Sequence, residues 1–439
     1  MKYECTFKFL KFQKKLFLAL SMKTTTTIVF LLISIGLCAQ RTDNESVFTN
    51  FITPEFVAGT TAESNSNFPE KSTTLGMFVN FGKFQKTNTQ EWAYRLGFPK
   101  TGIAVGVVDY GNSEFLGQAY TLLPNVEFNI LGRSRRSFTM NVGLGGSYFN
   151  KKFDAVDNPL NQAVSTHLTW TCRIFFLYKM YESETIQWRI GGGYLHHSNG
   201  HTRFPNNGYN SILGSISAII GTKKAAYPSE KTSTDFQKTA QYYISPRVGI
   251  GSNILSLVYN DKKEVYTVAL SAGKQLNKTF KVGLGFSYHY YEHYYDYIIQ
   301  NESLVQEGRE FANLKDQPTW SASNLTLFAE GEFLLNHVGL TFMIGANIHK
   351  PAYDIDWRIN QGWDNTPRDI PEEWMLGEYN SKYKLKKAIA TKLGLRYYLF
   401  GNEHSPTHNI FAGAAINANL GQADFTEFSL GYVYLLPGK

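Results

Sequence analysis

Polar or small residues alternate with apolar ones along most of the chain. A period of two is the spacing of a strand that presents one face to apolar surroundings. Thr139, Asn141, Gly143, Gly145 and Ser147 interleave with Phe138, Met140, Val142, Leu144 and Tyr148. Lys281, Gly283, Gly285, Ser287 and His289 do the same with Val282, Leu284, Phe286, Tyr288 and Tyr290. Gly339, Thr341, Gly345 and Asn347 oppose Val338, Leu340, Phe342, Ile344 and Ile348. A β-sandwich also alternates, but its strands average about five or six residues. These segments run to about ten or more, the length a tilted strand needs to cross a bilayer.

The connections alternate in length as well. Short turns are expected near Arg133–Arg136, Glu182–Glu184, Gln275–Lys278 and Leu335–His337. Long polar excursions fall at Lys151–Gln162, Asp296–Trp320 and Pro351–Tyr383. Outer-membrane barrels pair short periplasmic turns with longer external loops. The C-terminal Ser429–Leu436 has the glycine and aromatic alternation of a closing barrel strand. The tyrosines of Tyr288–Tyr297 read as part of an interfacial aromatic girdle. The pattern predicts an all-β fold, a transmembrane antiparallel up-and-down β-barrel. About fourteen strands are expected, within a range of roughly twelve to sixteen, because closure with both termini periplasmic wants an even number.

Composition points to one barrel unit over residues 40–439. Tyr, Phe and Gly number 27, 32 and 37, charge is moderate, and no long helical period or Pro/Gly/Ser linker divides the chain. The net charge of +7 suits an anionic surface, although lysines spread through loops are by default a solvated face. Nothing points to a nucleic acid partner. Ahead of the barrel, residues 1–39 read as a secretory signal peptide: Met22-Lys23, the apolar run Ile28–Leu37, and Cys38-Ala39-Gln40 with cleavage after Ala39. Residues 1–21 read as an upstream extension or a long basic leader. The apolar run is short of the roughly 20 residues of a spanning helix, and bulky Leu37 disfavours a lipoprotein site at Cys38. Once the leader is removed Cys172 stands alone, so neither an internal disulfide nor a cysteine metal site can form. A barrel behind an export signal belongs in the outer membrane of a Gram-negative cell.

Candidate chemistry concentrates in Tyr194–Ile212. On a strand, His196 and Ser198 share a face with Trp188, Ile190, Gly192 and Tyr194, while His197 points the other way with Arg189 and Leu195. Asn210 shares parity with Ile212, Gly214, Ile216, Ala218 and Ile220. Two strands joined by Asn199–Tyr209 therefore bring His196, Ser198 and Asn210 onto one apolar face near the outer end of the hairpin. On a membrane barrel that face meets lipid. A serine hydroxyl needs an adjacent base to become a nucleophile, and the base needs a third group to fix its tautomer. Ser198, His196 and Asn210 can fill those roles, the amide orienting the imidazole without a carboxylate's charge. The Gly200 N–H is the nearest oxyanion donor, with the Asn199 and Asn206 side chains as further candidates. His197 and His201 read as lumen-facing or solvated.

This motif, His196-His197-Ser198-Asn199-Gly200 with a polar residue twelve past the serine, resembles two families of outer-membrane lipid hydrolases. One is the lipid A 3-O-deacylase (PagL-type) or acyloxyacyl hydrolase family, where His and Ser work with a Glu. There the turn carries a Pro-Asn pair similar to Pro205-Asn206, the Asn lying near the oxyanion. The other is outer membrane phospholipase A, which has Asn at the position of Asn210. The turn Arg203–Gly208 and the stretch Glu91–Gly106 look more like the deacylase. The resemblance implies a serine esterase that hydrolyses acyl esters of lipopolysaccharide, specifically lipid A, or else of phospholipid. It implies no cofactor for the deacylase, and calcium with a homodimer for the phospholipase. A porin or uptake channel, with Ser198 and His196 dispensable and an open lumen, is the non-enzymatic alternative.

Overall fold

A computed structural model describes residues 50–131, 137–221, 236–360 and 380–437, with the short stretches 47–48 and 224–225. The expected signal peptide, its cleavage after Ala39, and the turn at Arg133–Arg136 lie outside the described residues. The period-two alternation resolves into sixteen long antiparallel strands, closed as two eight-stranded barrels and not as one barrel of fourteen.

The first barrel comprises β1 (Asn50–Thr61), β2 (Thr74–Phe84), β3 (Lys100–Asp109), β4 (Gln118–Asn129), β5 (Phe138–Phe149), β6 (Leu168–Glu182), β7 (Ile186–Ser198) and β8 (Tyr209–Gly221), with β8 closing on β1. The second comprises β9 (Ala240–Asn253), β10 (Lys263–Leu276), β11 (Phe280–Tyr291), β12 (Ser323–Leu335), β13 (Val338–His349), β14 (Ile389–Tyr398), β15 (His408–Asn419) and β16 (Gln422–Leu435), with β16 closing on β9. The single-barrel expectation fails because local alternation is the same whichever strands close on each other. Closure is set by the long-range pairs β1–β8 and β9–β16.

Each strand turns its apolar residues outward. Phe56, Met77, Phe81, Leu122, Ile212 and Ile216 are exposed, as residues facing lipid must be, while the alternate positions are buried. An eight-stranded barrel leaves an interior that side chains fill. In the first barrel Glu127 accepts from Arg189 at 2.6 Å and from Lys100 at 2.5 Å, and Arg173 reaches Glu55 at 2.7 Å. In the second, Arg396 binds Glu332 at 2.9 Å and Glu330 at 3.1 Å, and Lys392 binds Glu427 at 2.8 Å. Buried charge is tolerated because it is paired. Both lumens are thus crossed by ion pairs, unlike the open lumen that the channel alternative requires.

The expected short turns at Glu182–Glu184, Gln275–Lys278 and Leu335–His337 are present, and the excursions Lys151–Gln162 and Asp296–Trp320 lie at the opposite ends; of Pro351–Tyr383, residues 361–379 lie outside the described residues. Over the second barrel the long loops build a cap with α1 (Glu292–Ile299) and α2 (Tyr353–Asn360). Tyr291, Tyr294 and Tyr297 are buried in the core of this cap, so these three do not belong to a lipid-facing girdle. Their spacing of three follows a helix and not a strand.

Candidate active site

The β7–β8 hairpin places His196 directly opposite Asn210, and β6 places Trp170 opposite Ser198. His196, Ser198 and Asn210 share the outward face with Ile190, Tyr194 and Ile212 at the long-loop end of the first barrel. His196 Nδ1 lies 2.8 Å from Asn210 Oδ1. An amide oxygen can only accept, so Nδ1 carries the proton and Nε2 is the unprotonated nitrogen. The Tyr194 hydroxyl donates to the same Asn210 Oδ1 and its ring stacks on the imidazole. Two donors on one oxygen fix which way the amide points. Sequence parity put Tyr194 on this face but gave it no role beyond an apolar one.

Ser198 Oγ makes no hydrogen bond among the described residues. It is only 8% exposed, although Ile190 and Ile212 on the same face are 44% and 62% exposed. Trp170 and the loop after β7 flank it. His197 points into the lumen, where Thr171 Oγ1 contacts its Nδ1 at 3.0 Å. Its ring packs edge-on against Phe149, and Phe149 and Tyr110 stack on Tyr209 at 5.1 and 4.3 Å. This aromatic block supports the hairpin end from within.

The loop between β7 and β8 is tied down residue by residue. Asn199 Nδ2 donates to Ser165 Oγ at 3.1 Å and to the Arg203 carbonyl at 2.6 Å. Both of its protons therefore hold the loop, and the side chain is not free to serve an oxyanion. The Asn199 N–H donates to Asn206 Oδ1 at 2.8 Å, which orients that amide and leaves its Nδ2 without a partner among the described residues. The Gly200 N–H likewise donates to nothing described. Gly200 and Gly208 adopt φ of +64° and +77°, a region that favours glycine. A Cβ on Gly208 would come 2.9 Å from His196 Cε1. His201 is buried in the loop, its ring against Phe204. Cys172 pairs across the strands with His196 and is the free thiol nearest the site. Among the described residues no group of three or more His, Cys, Asp or Glu is placed to hold a metal ion.

One family model matches within each barrel. Residues 73–218 match lipid A 3-O-deacylase (PagL), and residues 238–359 match the acyloxyacyl hydrolase C-terminal domain. Among solved structures, the outer membrane enzyme PagL aligns with 38% of this chain and 97% of its own, at 15% identity and a TM-score of 0.28. A mutant of the Rh. blastica porin aligns with 89% of this chain and 100% of its own, at 10% identity and a TM-score of 0.17. CdiB from Acinetobacter baumannii aligns with 88% of this chain and 60% of its own, at 8% identity and a TM-score of 0.16. No curated protein matches the chain. With family models matching in both barrels and together spanning more than half of the 439 residues, the chain belongs to the PagL-type lipid A 3-O-deacylase and acyloxyacyl hydrolase family of outer-membrane enzymes, hydrolases of ester-linked acyl chains.

Proposed function

We propose that this protein removes an ester-linked acyl chain from lipid A, with Ser198 as nucleophile, His196 as base and Asn210 as the group that orients the base. The observation that carries this reading is the 2.8 Å contact between His196 Nδ1 and Asn210 Oδ1 on the lipid-facing wall. It leaves Nε2 free to take a proton on the face turned to lipid.

Ser198 Oγ attacks the ester carbonyl while His196 Nε2 takes its proton, and a tetrahedral oxyanion forms. We assign its stabilisation to the Gly200 N–H and Asn206 Nδ2, both without partners among the described residues. The C–O bond to the sugar breaks, and the imidazolium returns its proton to the departing alkoxide. Water, deprotonated by the same imidazole, then attacks the acyl carbon; the bond to Ser198 Oγ breaks, the imidazolium returns its proton to Oγ, and the fatty acid leaves. The Ser198–His196 hydrogen bond must form as substrate binds, since catalytic contacts in ligand-free sites are often loose.

A serine-directed fluorophosphonate bearing an alkyl chain tests the assignment. Labelling of Ser198 that disappears in His196→Ala supports it. Full hydrolysis by protein labelled at another residue would sink it. The phospholipase reading carries calcium and a homodimer with it, so release of lysophospholipid that a chelator abolishes would favour that reading.

A further inference from the structure

The loop carrying the proposed oxyanion donors is held from two sides. On one side the first barrel's own β5–β6 connection binds it: Gly208 N donates to the Ala163 carbonyl at 2.8 Å and Asn207 N to the Gln162 carbonyl at 3.2 Å. On the other side the partners belong to the second barrel. Thr426, at the outer end of β16, accepts from Trp170 Nε1 at 3.0 Å and donates to the Gly200 carbonyl at 3.2 Å. Asn260, in the β9–β10 connection, takes both polar backbone groups of Phe204, accepting from its N–H and donating to its carbonyl, each at 2.9 Å. Between these anchors His201, itself at φ +66°, lies within electrostatic reach of Asp356, Asp424 and His293, all from the second barrel.

We propose that the second barrel is a positioning element of the active site, acting through Thr426 and Asn260. Among the described residues, Gly200 O and both polar backbone groups of Phe204 have no other partner, and a backbone group withdrawn from water without one is costly. If the second barrel withdrew, those groups would turn to find partners. The Gly200 and His201 backbone, both left-handed, would be the first to relax. Thr426 fits closely enough that a Cβ on Gly200 would sit 2.2 Å from its Oγ1. The same junction borders Ser198, because Trp170 is its cross-strand partner and Thr426 holds the indole. This inference rests on the Ser198 reading.

The test uses the full-length protein in detergent micelles with purified lipid A as substrate. Thr426→Val, Thr426→Ser, Asn260→Ala and Ser198→Ala are compared, and the folded fraction is read from heat-dependent gel mobility. Loop donors act on charge that develops in the transition state, so kcat should respond and KM should not. Thr426→Val is expected to lower kcat about tenfold or more with KM held within about twofold. Thr426→Ser keeps the hydroxyl and should restore most of the rate, and Asn260→Ala should lower kcat at unchanged folded fraction. Wild-type kcat in both Thr426→Val and Asn260→Ala overturns the proposal. So does a loss that merely tracks unfolding and that Thr426→Ser fails to restore. Activity surviving in Ser198→Ala would instead sink the catalytic assignment.

Discussion

His196 and Asn210 stand opposite each other across β7 and β8, with Nδ1 and Oδ1 2.8 Å apart on the face turned to lipid. The pairing makes unequal demands on the two side chains. In the proposed triad, orientation by Asn210 is shared with packing of the imidazole on Tyr194, whereas the proposed nucleophile, Ser198, has no substitute. Ser198→Ala should therefore abolish ester hydrolysis, and Asn210→Ala should lower kcat by about 100-fold. Steady-state kinetics on both variants check this; equal and complete losses would contradict the ranking.

Gly208 lies against the imidazole, at a φ of +77°. Gly208→Ala adds a methyl 2.9 Å from His196 Cε1 in a strained backbone region, so the ring must shift. The expected result is a loss of about tenfold or more in kcat with the barrel still folded. Wild-type turnover would show that the ring has room to spare.

How much of this was legible in the sequence depends on the range of the interaction. Parity along β7 and β8 put His196, Ser198 and Asn210 on one apolar face because a hairpin is local. The same parity could not show that the Tyr194 phenol reaches the Asn210 amide. Two barrels were not legible from alternation, although the polar stretch between Gly221 and Ala240, with Lys223, Pro228, Ser229 and Lys231, marks the junction. Tyr291, Tyr294 and Tyr297 follow a helical spacing of three that directly continues a strand's alternation, so the change of period at Glu292 is masked by the run of tyrosines. Thr426, 226 residues from Gly200, had no sequence signal at all.

The lumen ion pairs should matter for stability and not for chemistry. Arg189 lies seven residues before His196, roughly 23 Å along the strand, and holds Glu127 at 2.6 Å. Removing one partner of a buried pair costs about 3–5 kcal/mol. Arg189→Met should lower the urea midpoint of the first barrel while the folded fraction keeps its kcat. An unchanged midpoint would mean that Lys100 alone satisfies Glu127.

The cap over the second barrel should be sensitive to acid. Burial, aided by nearby His201, pushes the His293 pKa from 6.5 down to about 3. Between those values an unfolded cap binds a proton that the folded cap does not. Cap stability is therefore fully present above about pH 6.5 and declines as pH falls towards 3. Hydrogen exchange of Glu292–Ile299, corrected for intrinsic rates, should accelerate between pH 7 and pH 5, and His293→Leu should flatten that dependence. Equal slopes in the two proteins would contradict it.

The most direct test of the account is mass spectrometry of lipid A and phospholipids from cells producing the intact protein or Ser198→Ala, with both shown to be inserted in the outer membrane. The account predicts that lipid A loses one ester-linked acyl chain only when Ser198 is present, and that phospholipids are unchanged. Identical lipid A from the two strains would contradict it, and lysophospholipid dependent on Ser198 would move the enzyme to phospholipid substrates.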